Sequence, residues 1–310
     1  MWNGTWEIKR TRPVDLTYGR ALPAFIHNGS YYLSTVDVYA DGAIDCWGFV
    51  DRALLDGKLS KGWIATQPPL GAVIGIYSLG RVSVAAAQWC ITCQDLAAQV
   101  DHTLRQLNPD GVGLIDMEGS ATEIRDGCRY AKLGVADKTP YRHDASRHEI
   151  VGAQVPIFLK QDNDYVLTRW FVYADQQCEL GYGTGLMAVD DVQTMIANGQ
   201  VTTSVPDGVW ISVPGLGRFQ TAKGSWSIEP DERVREVQDL GAIASGQKGS
   251  IQRCMDAHQA YDQNPNKTNR AELQLAYESV PQHLRIYCGD MDTRDLLIRQ
   301  ILYGENPEDY

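Results

Sequence analysis

Two periodicities divide the chain. Up to about residue 90, and again between about residues 152 and 226, apolar positions fall in short runs rich in Val, Ile, Tyr and Trp. Gly, Pro or Asp-Gly interrupts them every few residues. Ala24–Ile26, Tyr31–Tyr39, Ala43–Val50, Gly62–Thr66, Ala72–Tyr77 and Arg81–Ala87 therefore read as strands. Asp41-Gly42 between two such runs supplies the positive φ that a hairpin needs. Elsewhere the apolar spacing turns helical. Leu96, Val100, Leu104 and Leu107 line one face of Cys93–Leu107, and Asn108-Pro109-Asp110-Gly111 stops it. Pro230–Leu240 opens with Pro230, Asp231 and Glu232, suited to a helix N-terminus. Asp51–Leu59, Ala121–Leu133, Ser250–Gln263, Thr268–Val280 and Thr293–Tyr303 complete the expected helices, and Val112–Met117 is a further candidate strand.

The strand-rich stretches are copies of one another. Val38-Tyr39-Ala40-Asp41 recurs as Val172-Tyr173-Ala174-Asp175, 134 positions on (172 − 38 = 134). Leu79-Gly80-Arg81 recurs as Leu216-Gly217-Arg218 and Trp89 as Trp226, both 137 on (216 − 79 = 137, 226 − 89 = 137). Pro23, Phe25 and Leu33 find partners in Pro156, Phe158 and Leu167. A repeated unit sets the architecture before any motif does. The expected fold is α+β: two duplicated antiparallel β-rich subdomains, curved sheets or partly closed barrels, each with a trailing helix, then a helical C-terminal domain. The expected boundaries are 1–110 for the first copy, 111–151 for a connector, 152–240 for the second copy and 241–310 for the helical domain. Approximate twofold packing of the copies follows.

The string Val38-Tyr39-Ala40-Asp41-Gly42-Ala43-Ile44-Asp45-Cys46-Trp47-Gly48 resembles the hallmark phrase of a family of uncharacterised bacterial proteins. Tyr277-Glu278-Ser279-Val280-Pro281-Gln282-His283-Leu284-Arg285 and Gly289-Asp290-Met291-Asp292 are similar to C-terminal phrases of such proteins. The resemblance covers about a third of the chain. It implies a bacterial origin and brings no activity with it. In the second copy Gln176-Gln177-Cys178-Glu179-Leu180-Gly181 replaces the phrase, so a role for Asp45, Cys46 and Trp47 is confined to the first.

Charge narrows the partners. The formal net charge is −11, and from Glu229 onward 15 acids face 9 bases. Nucleic-acid binders usually present a basic surface, so a nucleic-acid partner is not expected. No apolar run approaches a membrane span, the N-terminus lacks a signal-peptide core, and seven scattered cysteines suit reduced thiols. A cytoplasmic location is therefore expected.

Four groups carry candidate chemistry. Trp89-Cys90-Ile91-Thr92-Cys93 is similar to a thioredoxin active-site turn, and a helix N-terminus lowers a thiol pKa. Copy two keeps the Trp and the helix but has Ser227-Ile228-Glu229-Pro230 there, so the junction exists without thiols. Asp290 and Asp292, with Glu118 or His283, form a candidate divalent-metal site for phosphoester chemistry. Asp292 as a helix N-cap explains that residue without a ligand. His143 and His148, in a loop with two acids and two arginines, are candidates for acid–base work. Zinc on Cys90, Cys93, Cys128 and a histidine is disfavoured because only one close pair exists. Trp47, Trp63 and Asp45 are the candidate binding residues, since aromatic side chains anchor interfaces. No phosphate-cradling loop or nucleophile elbow is present. The favoured expectation is a non-enzymatic, protein-binding protein with no cofactor. Its partner is expected to be another, basic protein, as for a toxin-immunity or defence component. A metal-dependent hydrolase and a thiol oxidoreductase on Cys90 and Cys93 are the alternatives.

Overall fold

The computed structural model describes residues 3–12, 15–134 and 137–304. Ten strands close into one ring. From the first copy come β1 (Trp6–Arg12), β2 (Asp15–Asn28), β3 (Ser30–Tyr39), β4 (Val73–Ile76) and β5 (Gly80–Trp89). From the second come β6 (Asp137–His143), β7 (Glu149–Gln161), β8 (Asp164–Tyr173), β9 (Trp210–Val213) and β10 (Gly217–Trp226). The order around the ring is β1-β2-β3-β4-β5-β10-β9-β8-β7-β6, with β6 pairing back to β1. Neighbours are antiparallel except β3–β4 and β8–β9, which run parallel. The two copies are thus two halves of one barrel. Neither half can close its own edges, and closure removes edges that would otherwise offer unpaired backbone groups.

The registers at both seams are twofold symmetric. At β5–β10, Gly80 faces Trp226 and Trp89 faces Gly217; at β1–β6, Ile8 faces Pro140. Details recur across that axis. The indole N–H of Trp89 donates to the Pro68 carbonyl at 3.0 Å, and that of Trp226 to the Val205 carbonyl at 2.9 Å. Edge-to-face rings follow, Phe25 with Trp89 at 5.4 Å and Phe158 with Trp226 at 5.2 Å. Arg10 pairs with Asp41 and lies over Tyr39, and Arg142 pairs with Asp175 and lies over Tyr173. Gly19 and Gly152 are required where they stand, since a Cβ at either would come within 2.5 Å of the Val38 or Val172 carbonyl oxygen.

Helices cover the outside. Strand side chains alternate between faces, so Leu22, Ala24, Ile26, Val36 and Val38 point outward. There they pack under α1 (Arg52–Ser60) and α2 (Cys93–Leu107). Val155, Ile157, Trp170 and Val172 do the same under α3 (Val189–Ala197) and α4 (Pro230–Ala244). Each such apolar side chain, fully buried, contributes about 1.5–3 kcal/mol. Inside, Phe25, Leu33, Phe158, Leu167 and Phe219 fill the β5–β10 end. After α4, α5 (Ser250–Gln263), α6 (Lys267–Ser279) and α7 (Leu296–Tyr303) share a separate core around Cys254, Leu273, Tyr277, Cys288 and Ile298.

The α+β class, the duplication and the trailing helices are as expected from the sequence, and several elements differ. Ala121–Leu133 is a hairpin, Thr122–Arg125 with Cys128–Ala131, because Asp126 and Gly127 both take positive φ (50° and 78°), the geometry of a tight hairpin turn. Val112–Met117 is not a strand: Asp116 Oδ1 accepts the Glu118 amide at 2.7 Å and turns the chain. Within the expected connector, Asp137–His143 is a ring strand pairing with β1. Val189–Ala197 is a helix 137 residues after Arg52–Ser60, hence α1 of the second copy. Residues 305–310 of the helical domain lie outside the described residues. Among the described residues no helix is long and apolar enough to cross a membrane.

Candidate functional site: a charged cavity inside the barrel

The interior is not packed throughout. A cavity of about 810 Å³ is lined by eight of the ten strands, a volume ordinary for a small-molecule site. It opens where the ring is weakest. Strand β3 pairs with β4 only over Tyr31–Leu33, and beyond that with the short strand Ile44–Asp45 over Asp37 and Val38. Between these pairings Ser34 and Thr35 have no partner strand on that side, and the gap they leave is flanked by Trp47 and Tyr77, both exposed.

Trp47 is held there by its own loop. It adopts φ 66°, rare for a bulky residue. Asp45 Oδ1 accepts the Gly48 amide at 3.0 Å, and the Trp47 indole N–H donates to Ser34 Oγ at 3.2 Å. The indole tilts against Tyr32 at 5.2 Å. Asp45-Cys46-Trp47-Gly48 is thus a device for hanging one aromatic ring beside the opening. Cys46 is buried beneath it, and burial pushes its thiol up to about 12, so it is a packing residue.

Deeper in, the copies diverge. Gly19 opposes Tyr39 in the first and Gly152 opposes Tyr173 in the second, which aligns the following inward positions in pairs. Ala21 opposes Asp37 where Gln154 opposes Phe171, and Pro23 opposes Thr35 where Pro156 opposes Arg169. Thus Asp37, Gln154 and Arg169 each occupy a place where the other copy carries an uncharged residue.

Arg169 extends over Trp6, its guanidinium carbon 5.7 Å from the ring centroid. Among the described residues the guanidinium has no ion pair and no hydrogen bond, while the Arg169 carbonyl accepts the Gly181 amide at 2.8 Å. Burial first, then the charge of Arg233, pull its pKa down to about 10. Asp37 is buried; Oδ2 takes Lys138 Nζ at 2.6 Å, while Oδ1 has no hydrogen-bond partner among the described residues. Asp45 reaches the same lysine at 3.5 Å. Burial raises the Asp37 pKa despite Lys138. For Lys138 burial works downward, but Asp37 and Asp45 outweigh it and the net shift is upward. Two carboxylates sharing one ammonium at short range hold Lys138 in its charged form. Gln154 Oε1 is also buried without a described partner. Arg81 lies toward the Tyr77 side, exposed. Among the described residues the lining carries three cations, Arg81, Lys138 and Arg169, against the single carboxylate of Asp37. Arg81 and Lys138 both reach solvent, which leaves Arg169 as the inner cation, in a chain of net charge −11.

The remaining candidates lie elsewhere. Trp63 donates to the Cys46 carbonyl at 3.3 Å and, under Lys58, borders a separate cleft of about 420 Å³ with His27 and Leu54. Cys90 is exposed, and Cys93 is the first residue of α2, whose N-cap is Thr92; Cys93 Sγ lies 3.8 Å from the Ile64 carbonyl. His143 packs edge-on against Tyr141, and His148 lies 3.3 Å from Asp144 in a surface turn. Asp290 accepts the amides of Asp292 (3.0 Å) and Thr293 (2.6 Å) and the Thr293 hydroxyl (2.8 Å). Asp290, not Asp292, is the turn-capping residue, and α7 begins only at Leu296 because Arg294 takes φ 52°, outside the right-handed helical region; Asp295 accepts the Tyr277 hydroxyl at 2.5 Å. His283 bonds to Glu236 at 3.0 Å. No group of three His, Cys, Asp or Glu among the described residues is placed to hold a metal.

A family model described as Domain of unknown function (DUF7638) matches residues 6–111 and again 140–247, one match per half-barrel and well over half of the chain. The protein belongs to the DUF7638 family. The helical segment matches a second model, Domain of unknown function (DUF7639), over residues 249–309. No curated protein and no solved structure matches the chain. In this DUF7638 protein the exposed hairpin Thr122–Ala131 falls between the two matched halves, whereas every residue that lines the cavity, apart from Lys138, falls within one.

Proposed function

We propose that this protein is a non-enzymatic binding protein whose ligand is a small molecule held inside the barrel. The observation that carries the reading is the cavity itself. It combines a gap edged by aromatic side chains, Tyr32, Trp47 and Tyr77, with polar atoms at its wall, Asp37 Oδ1 and Gln154 Oε1, that have no hydrogen-bond partner among the described residues. A buried polar group without a partner destabilises the protein by about 1–3 kcal/mol. Such groups persist where something other than stability retains them. The duplication sharpens this, because each half-barrel forms without the other's polar residue. The lining supports binding over catalysis. Among the described residues it offers the hydroxyls of Ser34, Thr35, Ser78 and Ser227 but no histidine, cysteine or glutamate to activate one, and its carboxylate, Asp37, is engaged by Lys138.

A neutral fluorescent probe, N-phenyl-1-naphthylamine, tests the reading. Titration is expected to show one site per chain. Thr35→Trp, which places a bulky ring in the opening, is expected to abolish it without lowering the melting temperature by more than a few degrees. Absence of binding to the native protein, or undiminished binding to a folded Thr35→Trp, would overturn the proposal.

A second reading keeps the expected protein partner, in an immunity or defence setting. What favours it is the surplus of acids after Glu229 together with the exposed Trp47. A pull-down in which a complex dissociates at raised salt supports it; a chain that stays alone at low salt removes it.

A further inference from the structure

Resting on the cavity reading, we infer that the ligand is an anion, an aromatic or other flat molecule carrying a carboxylate, sulfonate or phosphate, and that Arg169 is the residue that takes its charge. Three observations converge. The Arg169 guanidinium lines the cavity and has no ion pair or hydrogen bond among the described residues. The only carboxylate in the lining among the described residues, Asp37, is engaged by Lys138 and makes no ion pair with Arg169; its charge only partly offsets the burial of the guanidinium. The matching position in the first copy is Thr35, so the barrel does not need a cation there.

The surroundings fix the rest of the ligand's chemistry. Arg233 stands behind the cavity, fully buried, bonded to Glu236 and donating to Ser78 Oγ at 2.8 Å. Its charge adds to the field at Arg169. A guanidinium presents paired donors that match a planar or tetrahedral oxyanion, and a charge-assisted pair out of water is stronger than a neutral hydrogen bond. Asp37 Oδ1 and Gln154 Oε1 are acceptors without described partners, so a ligand donor, a hydroxyl or an amine, fits beside the anionic group. Trp6 below the guanidinium and Tyr32 and Trp47 by the opening offer aromatic surfaces to a flat body.

The test uses two probes with the same skeleton, N-phenyl-1-naphthylamine (neutral) and 8-anilino-1-naphthalenesulfonate (anionic). The native protein is expected to bind the sulfonate at least about tenfold more tightly, as one charge-assisted hydrogen-bonding site permits. Arg169→Met is expected to bring the ratio close to one while leaving affinity for the neutral probe within about threefold. Arg169→Lys, which keeps the charge, is expected to retain part of the preference. If both probes bind with equal affinity, or if Arg169→Met leaves the preference intact, the anion assignment falls and the cavity reading stands. If neither probe binds the native protein, both fall.

Discussion

Arg169 makes a prediction about stability that separates a binding group from a structural one. Arg169→Met keeps the length and the apolar stem over Trp6 and removes the charge. In the ligand-free protein the guanidinium pKa stands at about 10, against 12.5 for the free side chain. The difference (12.5 − 10 = 2.5), at about 1.36 kcal/mol per pKa unit, corresponds to about 3 kcal/mol against the charged form. Part of the side chain meets water, so roughly half of that, about 1.5–2 kcal/mol, is the fair expectation. The folded protein binds this proton less tightly than the unfolded chain does. The penalty is therefore fully present below pH 10 and is relieved only as pH rises from about 10 toward 12.5. At pH 7 Arg169→Met should thus stabilise the protein by about 1.5–2 kcal/mol, a rise in melting temperature of about 3–6 °C. Calorimetry in a buffer free of phosphate and sulfate measures it. A fall of the same size would show that the fold itself uses the guanidinium, and the reasoning would fail.

The other predictions concern the frame and the rejected sites. Trp89→Phe and Trp226→Phe should each destabilise by about 2–4 kcal/mol in urea, matched to within about 1 kcal/mol, since each loses the same indole–carbonyl bond and similar packing; one silent variant would contradict the symmetry. Maleimide should label Cys90 and Cys128 in the native protein and leave Cys46, Cys178, Cys254 and Cys288 until denaturation; fast labelling of Cys46 would refute its burial. The Asp290 carboxyl lies below the usual carboxylate range because Thr293 donates to it from backbone and side chain. Its stabilising effect is present above that range and lost as pH falls through the lowered pKa. Asp290→Ala should therefore weaken stability at neutral pH and flatten the acid limb, with no difference between variant and native protein on adding magnesium, manganese or zinc. A metal-induced rise seen only in the native protein would instead favour the phosphoester alternative.

Much of the frame was legible in the chain. Trp89 and Trp226, present in both copies, are framework with matching bonds, and the helix Cys93–Leu107 has the bounds its spacing implies. Trp47 and Asp45 were legible as members of a phrase found once; that Trp47 borders a cavity, with Asp45 holding its loop, was not, because a barrel interior is assembled from strands over 130 residues apart. Trp63 has the same composition signal and lies elsewhere, in the bend after α1, since aromatic character alone does not say where a loop places a residue. Ala121–Leu133 misled because its apolar spacing fits a helix, while Asp126-Gly127 carries the stronger turn preference. Asp37, Gln154 and Arg169 left a usable trace. Pro23/Pro156, Phe25/Phe158 and Tyr39/Tyr173 set the register, and the inward positions between them that differ in polarity, Asp37 for Phe171, Gln154 for Ala21 and Arg169 for Thr35, are the site.

The most direct test is a crystal structure of the protein soaked with 8-anilino-1-naphthalenesulfonate. Density inside the barrel, with the sulfonate oxygens within hydrogen-bonding distance of the Arg169 guanidinium, is the predicted result. Density confined to the cleft at Trp63 or to the outer surface, with the barrel interior unchanged, would contradict the account.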